Sequence, residues 1–232
     1  MQQKHTLTTL LGIATLAMTA LTSQGQQIVF NSLDQAATAG YSELNVNNPI
    51  FGDSMTLSQG GHLSFFGCSI FNSTSGGNTG SILTGSMTVN FYDNTVPYSG
   101  GSLATSDPLL GSATFTLNFG SGLQPGFYTT ISIDLTGLNI NLPQNILITQ
   151  QFTETTGTST RNGVILFNNP TIGSSPSTVY ISSAATTEGL YTFTGNPGQF
   201  GFHVEVVPEP STLALAGLAG AAALILRRRK AA

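Results

Sequence analysis

The sequence predicts an all-β protein with a single antiparallel β-sandwich or jelly-roll domain. Segments rich in Phe, Ile, Val and Thr alternate apolar and polar residues with a period of two, as strands with one buried face do. Pairs of Gly, Asn, Ser or Pro punctuate these segments. No stretch of the body keeps a 3.6-residue apolar period over the roughly ten residues that a helix needs.

Five segments show the clearest alternation, and each is predicted to bury its apolar positions. These positions are Met87, Val89 and Phe91; Ala113, Phe115, Leu117 and Phe119; Ile131, Ile133 and Leu135; Ile146, Ile148 and Phe152; and Phe200, Phe202, Val204 and Val206. Weaker strand candidates are residues 27–30, 55–57, 62–66, 69–71, 163–167, 178–182 and 190–194. About ten short strands at this spacing are typical of a sandwich with one core. The polar stretches 72–80 and 157–163 are expected to be mobile loop tips.

Residues 1–25 are predicted to form a secretory signal peptide. Lys4 supplies a positive charge before the apolar stretch 7–21, and small residues follow at Ser23 and Gly25. Cleavage is therefore expected between Gly25 and Gln26, leaving residues 26–206 as the exported body. Signal peptidase and a Sec-type export machinery are the partners that this segment implies.

The charge distribution excludes nucleic acid as a partner. Only 7% of the 232 residues are charged, against roughly 25% in an average soluble domain. The formal net charge is −4, but the body holds one cation, Arg161, against nine acids, which gives it a net charge of −8. A body this acidic cannot neutralise a phosphate backbone.

The body carries no sequence signature of catalysis, so no catalytic residue, metal ligand or cofactor is predicted. His62 and His203 each alternate with apolar neighbours, and neither belongs to a His-x-His, His-Glu-x-x-His or Cys/His motif. The single Cys68 is interpreted as a small apolar strand residue. No Gly-x-Ser-x-Gly motif is present, and a hydrolase is the least favoured alternative.

Two binding functions remain open as alternatives. Asp93, Asp107 and Asp134 could contribute oxygen ligands to Ca²⁺, although Asp and Asn are equally common in turns. A carbohydrate-binding module would use aromatic side chains, of which Tyr98, in a VPYSGG loop, is the best placed to be exposed. The remaining tyrosines are Tyr41, Tyr92, Tyr128, Tyr180 and Tyr191.

Residues 207–232 form a separate C-terminal segment in three parts. Pro208, Glu209 and Pro210 interrupt both strand pairing and helix formation. Residues 211–226 then read as one short apolar helix, about 24 Å long and predicted to span a membrane. Four cations follow directly, which is typical of a stop-transfer block that stays on the cytoplasmic side. They are Arg227, Arg228, Arg229 and Lys230.

This tail resembles the PEP-CTERM sorting signal of exported proteins from Gram-negative bacteria. The resemblance covers about 25 of the 232 residues and rests on the order of Pro-Glu-Pro, apolar helix and basic end. It implies recognition and processing by exosortase, a membrane-embedded transpeptidase-like enzyme. Such proteins often come from exopolysaccharide-producing species, which makes exopolysaccharide a candidate partner.

Together these features predict an exported, non-catalytic protein of the cell envelope or extracellular matrix with a structural or surface role. The C-terminal helix would hold the chain in the membrane before processing. Pro208, Glu209 and Pro210 would be the recognition element.

Overall fold

The computed structural model describes residues 25–45, 48–95, 108–176, 178–183, 188–193 and 198–209. In these residues the chain is all-β, with two antiparallel sheets and no α-helix. One compact unit extends from Gln27 to Val206. Within the described ranges, no helix is long and apolar enough to cross a membrane. The predicted membrane helix 211–226 and most of the predicted signal peptide lie outside these ranges.

Fourteen strands are described, joined by turns and by two short 3₁₀ turns at Ser75–Gly77 and Thr136–Leu138. The strands are β1 (Gln27–Asn31), β2 (Ala37–Leu44), β3 (Ile50–Thr56), β4 (Gly61–Asn72), β5 (Ile82–Asp93), β6 (Leu109–Leu123), β7 (Tyr128–Asp134), β8 (Asn141–Leu142), β9 (Asn145–Gly157), β10 (Arg161–Phe167), β11 (Thr178–Ser182), β12 (Gly189–Thr192), β13 (Gln199–Phe200) and β14 (Phe202–Val207).

The six-stranded sheet has the order β12-β11-β3-β9-β5-β6. Its centre is β9, which pairs with β5 from Ile82↔Gly157 to Asp93↔Ile146 and with β3 on its other side. Strand β6 is paired with β5 alone among the described strands. The long antiparallel ladders make this sheet a regular layer.

The eight-stranded sheet follows the path β1-β14-β4-β10-β13, with β7 and β8 paired to β4 and β2 paired to β10. The first strand of the body pairs with the last, since Gln27 lies opposite Val206. Both ends of the body therefore lie at one end of this sheet. Gly163 of β10 must be a glycine, because a Cβ there would clash with the carbonyl oxygen of Tyr41 on β2.

One hydrophobic core lies between the two sheets. Phe66 of β4 is fully buried, with its ring centroid 5.5 Å from that of Phe91 on β5 in the other sheet. Phe51 and Phe200 make a second edge-to-face contact between the sheets, at 5.9 Å. Edge-to-face pairs are a favoured aromatic geometry that adds to the free energy of apolar burial.

The predicted alternation is confirmed in all five segments, because their apolar positions belong to the core or pack against it. The two weak candidates 62–66 and 69–71 are parts of one strand, β4. Strand β2 was not predicted: its sequence ATAGYSEL has no clear apolar alternation, and its burial pattern is mostly exposed or intermediate. Pairing with β10 along its whole length makes it a strand.

The stretches 72–80 and 157–163, which are predicted to be mobile loop tips, are joined by a buried hydrogen-bond network. Asn72 Nδ2 donates to the carbonyl oxygens of Gly80 (2.9 Å) and Leu123 (2.8 Å). Its Oδ1 accepts from Asn78 Nδ2 and from Ser159 Oγ, both at 2.8 Å. Polar side chains can anchor a loop as firmly as apolar ones when each polar atom has a partner.

Candidate functional site

The C-terminal segment leaves the body from the inner part of the eight-stranded sheet. Strand β14 ends at Val207, and Val204 and Val206 are fully buried on its core side. Pro208 follows directly, and since proline has no backbone N–H to donate, it ends the ladder there. Glu209 is exposed. Pro210 and the basic residues Arg227, Arg228, Arg229 and Lys230 lie outside the described residues, as do residues 1–24 of the predicted signal peptide, whereas Gly25 and Gln26 at the predicted cleavage site are described and exposed.

The outer side of β14 lines a shallow groove of about 370 Å³ on the eight-stranded sheet. His203 and Glu205 alternate along β14 with the buried Val204 and Val206, so their side chains lie on the outer face of the strand and line the groove. Strands β1, β4 and β7 and the loop after β1 supply the other walls. The lining residues are Asn31, Leu33, Asp34, Phe65, Thr130, Ser132, His203 and Glu205.

Three titratable side chains meet at this groove. His203 Nε2 lies 2.8 Å from Glu205 Oε1, and the His203 ring packs edge-to-face against Phe65 with centroids 5.6 Å apart. Asp34 accepts hydrogen bonds from Gln35 Nε2 (3.0 Å) and Thr171 Oγ1 (2.9 Å). The hydrogen bond from Gln35 is the largest of the effects that lower the pKa of Asp34 below its usual value. Asp34 is therefore ionised at neutral pH.

Several polar atoms of the groove have no hydrogen-bond partner among the described residues. The carbonyl oxygen of the Asn31 side chain accepts from Leu33 N at 3.2 Å, but its Nδ2 has no acceptor there. The hydroxyls of Thr130 and Ser132 likewise bond to no described side chain or backbone group. Both lie on the exposed face of β7. The groove thus presents donors and acceptors to whatever enters it.

A buried glycine lies beneath two of the groove's side chains. Gly67 of β4 lies opposite Ser132 of β7. A Cβ at this position would lie 3.1 Å from His203 Cβ and 3.2 Å from Leu33 Cδ1. A larger residue would therefore crowd the His203 and Leu33 side chains that cover Gly67.

A second depression of about 330 Å³ lies beside the loop after β9. It is lined by Glu154, Ser159 and several threonines and asparagines. Glu154 Oε2 accepts from Asn45 Nδ2 at 2.7 Å, while burial raises the pKa of this carboxyl. The depression holds one acid and no histidine, and it offers no catalytic pairing.

Within the described ranges, His62 and Cys68 do not form a reactive site, and His5 lies outside those ranges. His62 is exposed at the start of β4 and does not line the groove. No serine or threonine hydroxyl of the described chain hydrogen-bonds to the His203 ring, so no hydroxyl–imidazole relay is formed. Cys68 is fully buried, and burial raises the pKa of its thiol to about 12. Its interpretation as a packing residue is confirmed.

Two of the aspartates considered for Ca²⁺ are used in local turns. Asp93 Oδ1 accepts from the backbone N–H of Thr95 at 2.9 Å. Asp134 Oδ1 accepts from the backbone N–H and the hydroxyl of Thr136, at 3.0 and 2.6 Å. Within the described ranges, no group of three or more His, Cys, Asp or Glu residues could hold a metal ion. Asp107 lies outside those ranges.

The tyrosines do not form an aromatic platform in the part of the chain that is described. Tyr180 is buried and donates to Glu188 Oε1 at 2.7 Å, and Tyr41 donates to Glu43 Oε1 at 2.6 Å. Tyr128 is half-exposed at the start of β7 and contacts Phe167. Tyr98 lies outside the described residues. The aromatic side chain that does line a groove is Phe65, which sequence reasoning did not single out.

A further buried acid has no counterpart in the sequence prediction. Asp53 of β3 points into the core, where its Oδ1 accepts from Ser175 Oγ at 2.7 Å. Desolvation raises the pKa of Asp53 well above its usual value, and hydrogen bonds from Ser175 and two backbone groups oppose that shift only in part. Asp53 lies two residues from both Phe51 and Met55, so it shares their buried strand face. This spacing in the sequence could have revealed a buried carboxyl.

Comparison with known proteins gives one informative result, at the C-terminus. A family model described as PEP-CTERM protein-sorting motif matches residues 206–230. The chain carries a PEP-CTERM sorting motif. The motif begins at the end of β14 and includes both Pro208–Pro210 and the four terminal cations. It suggests an exported protein that exosortase processes and that is anchored in the membrane before processing. The individual roles of the tail residues, and of Gly25 and Gln26 at the signal cleavage site, remain predictions.

The body outside the sorting motif gives only weak likeness in these comparisons. No curated protein matches the chain in sequence. Among solved structures, one match is the structure of infectious bursal disease virus Gx strain, at 9% identity and a TM-score of 0.28. That match covers 81% of this chain and 37% of the viral chain. A TM-score this low does not establish a shared fold.

Proposed function

We propose that this protein is a non-catalytic component of the cell envelope or extracellular matrix, delivered there by its sorting motif. The single observation that carries the proposal is the family match at residues 206–230, which begins where the last strand of the body ends. The two sheets with one core support a β-sandwich body that precedes the motif as a folded cargo.

The surface of the body supports a structural role. On the outer face of the six-stranded sheet, threonine hydroxyls hydrogen-bond to one another across strands, for example Thr88 to Thr114 at 3.0 Å and Thr84 to Thr155 at 2.7 Å. Such neutral ladders stabilise a sheet and present no chemistry of their own. The calcium alternative gains no support from Asp93 or Asp134, whose side chains bond to neighbouring Thr95 and Thr136.

Processing is tested by intact mass measurement on the surface-associated protein, from cells with and without the sorting enzyme. We expect a C-terminus shortened to the neighbourhood of Pro208–Pro210 in normal cells and a longer chain in cells that lack the enzyme. Replacement of Pro208, Glu209 and Pro210 by Ala, Gln and Ala should give the longer chain in both. Pro125→Ala, in the turn before β7, is the matched control and should be processed normally. A mature protein that still ends at Ala232 in normal cells would contradict the proposal.

A further inference from the structure

The sorting motif accounts for delivery to the surface, but it does not explain the groove between β14 and β7. Its volume of about 370 Å³ is within the range of ligand pockets, roughly 300–1,000 Å³. Its walls combine an aromatic ring, two carboxylates, an amide and two hydroxyls, all placed by rigid strands or by a hydrogen-bonded loop. We propose that it binds a saccharide that carries a free amino group.

The charge of the groove selects the class of saccharide. Asp34 and Glu205 are both in its lining, and Arg161 is the only lysine or arginine in the described chain. Arg161 lies elsewhere, with its Nε near Gly76. An anionic sugar would meet two carboxylates and no lysine or arginine, while the imidazole of His203 is already paired with Glu205, so its binding would cost free energy. An ammonium group gains charge-assisted hydrogen bonds from the same carboxylates.

The remaining lining groups match the other parts of an amino sugar. Asn31 Nδ2 and the hydroxyls of Thr130 and Ser132 are unused by the described chain and can bond to sugar hydroxyls. The partly exposed ring of Phe65 offers an apolar and π-electron surface to the ring carbons and the nearby ammonium. The contact of His203 with both Phe65 and Glu205 fixes the position of these two side chains.

The test is isothermal titration calorimetry on the mature protein purified from the surface of producing cells. The probes are a glucosamine hexamer and its N-acetylated counterpart, in about 0.15 M salt to screen long-range attraction. We expect the glucosamine hexamer to bind and the acetylated hexamer to bind at least about tenfold more weakly, since it lacks the ammonium. Equal affinity for the two hexamers, or binding of neither, would overturn the proposal.

Two matched pairs of variants locate the site. Ser132→Arg places bulk and a positive charge at an exposed position of the groove wall, and Thr114→Arg makes the same change on the outer face of the other sheet. Glu205→Gln removes one charge from the groove, and Asp93→Asn removes one elsewhere. We expect at least about a tenfold loss of affinity in the first member of each pair and less than about twofold in the second. Equal losses within a pair would show general attraction to an acidic body and would overturn the groove as the site.

These measurements are independent of processing at the C-terminus. A protein that is processed normally but does not bind the glucosamine hexamer would refute the saccharide site and leave the proposed surface role in place. The unfolding midpoint of each variant, measured by circular dichroism, shows whether a loss of binding reflects the groove or a loss of fold.

Discussion

The protein contains two buried polar clusters that differ in how well their atoms are satisfied. At Asn72, amide and hydroxyl groups from three stretches of chain bond to one another, and both side-chain atoms of Asn72 have two partners. The carboxyl group of Asp53 lies in the core, and Ser175 joins it to Gln199 in one cluster. Asp53 Oδ2 and Gln199 Oε1 have no hydrogen-bond partner in the described chain. The first cluster joins loops through paired polar atoms, whereas the second leaves two buried oxygen atoms without a donor.

Buried polar side chains stabilise the fold only when their hydrogen-bond donors and acceptors are matched. A neutral amide can be fully satisfied by backbone carbonyls and neighbouring hydroxyls. A carboxylate would need a cation or several donors, and the part of the core around Asp53 supplies one hydroxyl and two backbone groups. Substitutions in the two clusters should therefore have opposite signs.

The largest effect is expected from Asn72→Ala. This substitution removes the donor to the carbonyl oxygens of Gly80 and Leu123 and one acceptor each from Asn78 and Ser159, which keep their other partners. The free energy of unfolding should fall by about 2–4 kcal/mol. Chemical denaturation followed by circular dichroism measures it. Asn118→Ala, at an exposed asparagine whose Oδ1 accepts only from Gly120 N, is the control and should cost less than about 1 kcal/mol.

The second prediction is a gain in stability from Asp53→Asn at neutral pH. Because the folded pKa of Asp53 is raised, this acid stabilises the fold fully only below its unfolded pKa of about 3.9, and stability is lost as pH rises toward the folded value. The amide variant does not ionise and should lose this pH dependence. At pH 7 its free energy of unfolding should exceed that of the original protein by more than the roughly 0.5 kcal/mol typical of surface changes.

Asp134→Asn provides the control of opposite sign. Hydrogen bonds from Thr136 lower the pKa of this exposed acid, so its contribution is present above the unfolded pKa and is lost as pH falls. Denaturation midpoints between about pH 3 and pH 8 compare the two variants. If Asp53→Asn left the pH profile of the protein unchanged, the buried acid would not be the cause of the slope.

A smaller loss is expected from Ser159→Ala, which removes one hydroxyl from the satisfied cluster. Ser159 Oγ donates to Asn72 Oδ1 at 2.8 Å and accepts from Arg161 N at 3.3 Å. Asn78 Nδ2 still donates to Asn72 Oδ1 in the variant, so the cost should be about 1 kcal/mol. A cost as large as that of Asn72→Ala would mean that the hydroxyl, and not the amide, organises the cluster.

The smallest effect should come from Thr88→Ala on the outer face of the six-stranded sheet. Its hydroxyl bonds to Thr114 Oγ1 in an exposed cross-strand pair, and water replaces that partner at little cost. The unfolding free energy should change by less than about 0.5–1 kcal/mol. A larger loss would show that the threonine ladder contributes to stability as the buried clusters do.

Sequence reasoning predicted the apolar faces of the strands because period-two alternation is a local property. Met87, Val89 and Phe91 are buried as expected, since one face of β5 must be covered for the sheet to be stable. It failed for β2, whose strand conformation depends on a partner about 120 residues away. It also missed the hydrogen-bond network of residues 72–80, because a polar stretch with partners and one without have the same composition.

The groove could not be predicted from the sequence for the same reason. His203 and Glu205 are neighbours on one strand face, and that relation is visible in the sequence. Their proximity to Phe65, Ser132 and Asp34 depends on strand order, which brings β1, β14, β4 and β7 together. No motif of fixed spacing marks residues that meet only across a sheet.

The sorting motif, which implies export, and the strands of the body could both be identified from the sequence alone. A sorting motif is read by other proteins as a linear string of residues, so its order along the chain is sufficient to recognise it. Only the tertiary structure decided which polar residues are buried, which loops are held and which side chains share the groove. Those properties depend on contacts between residues far apart in the chain, and pairing between sheets and strands fixes them.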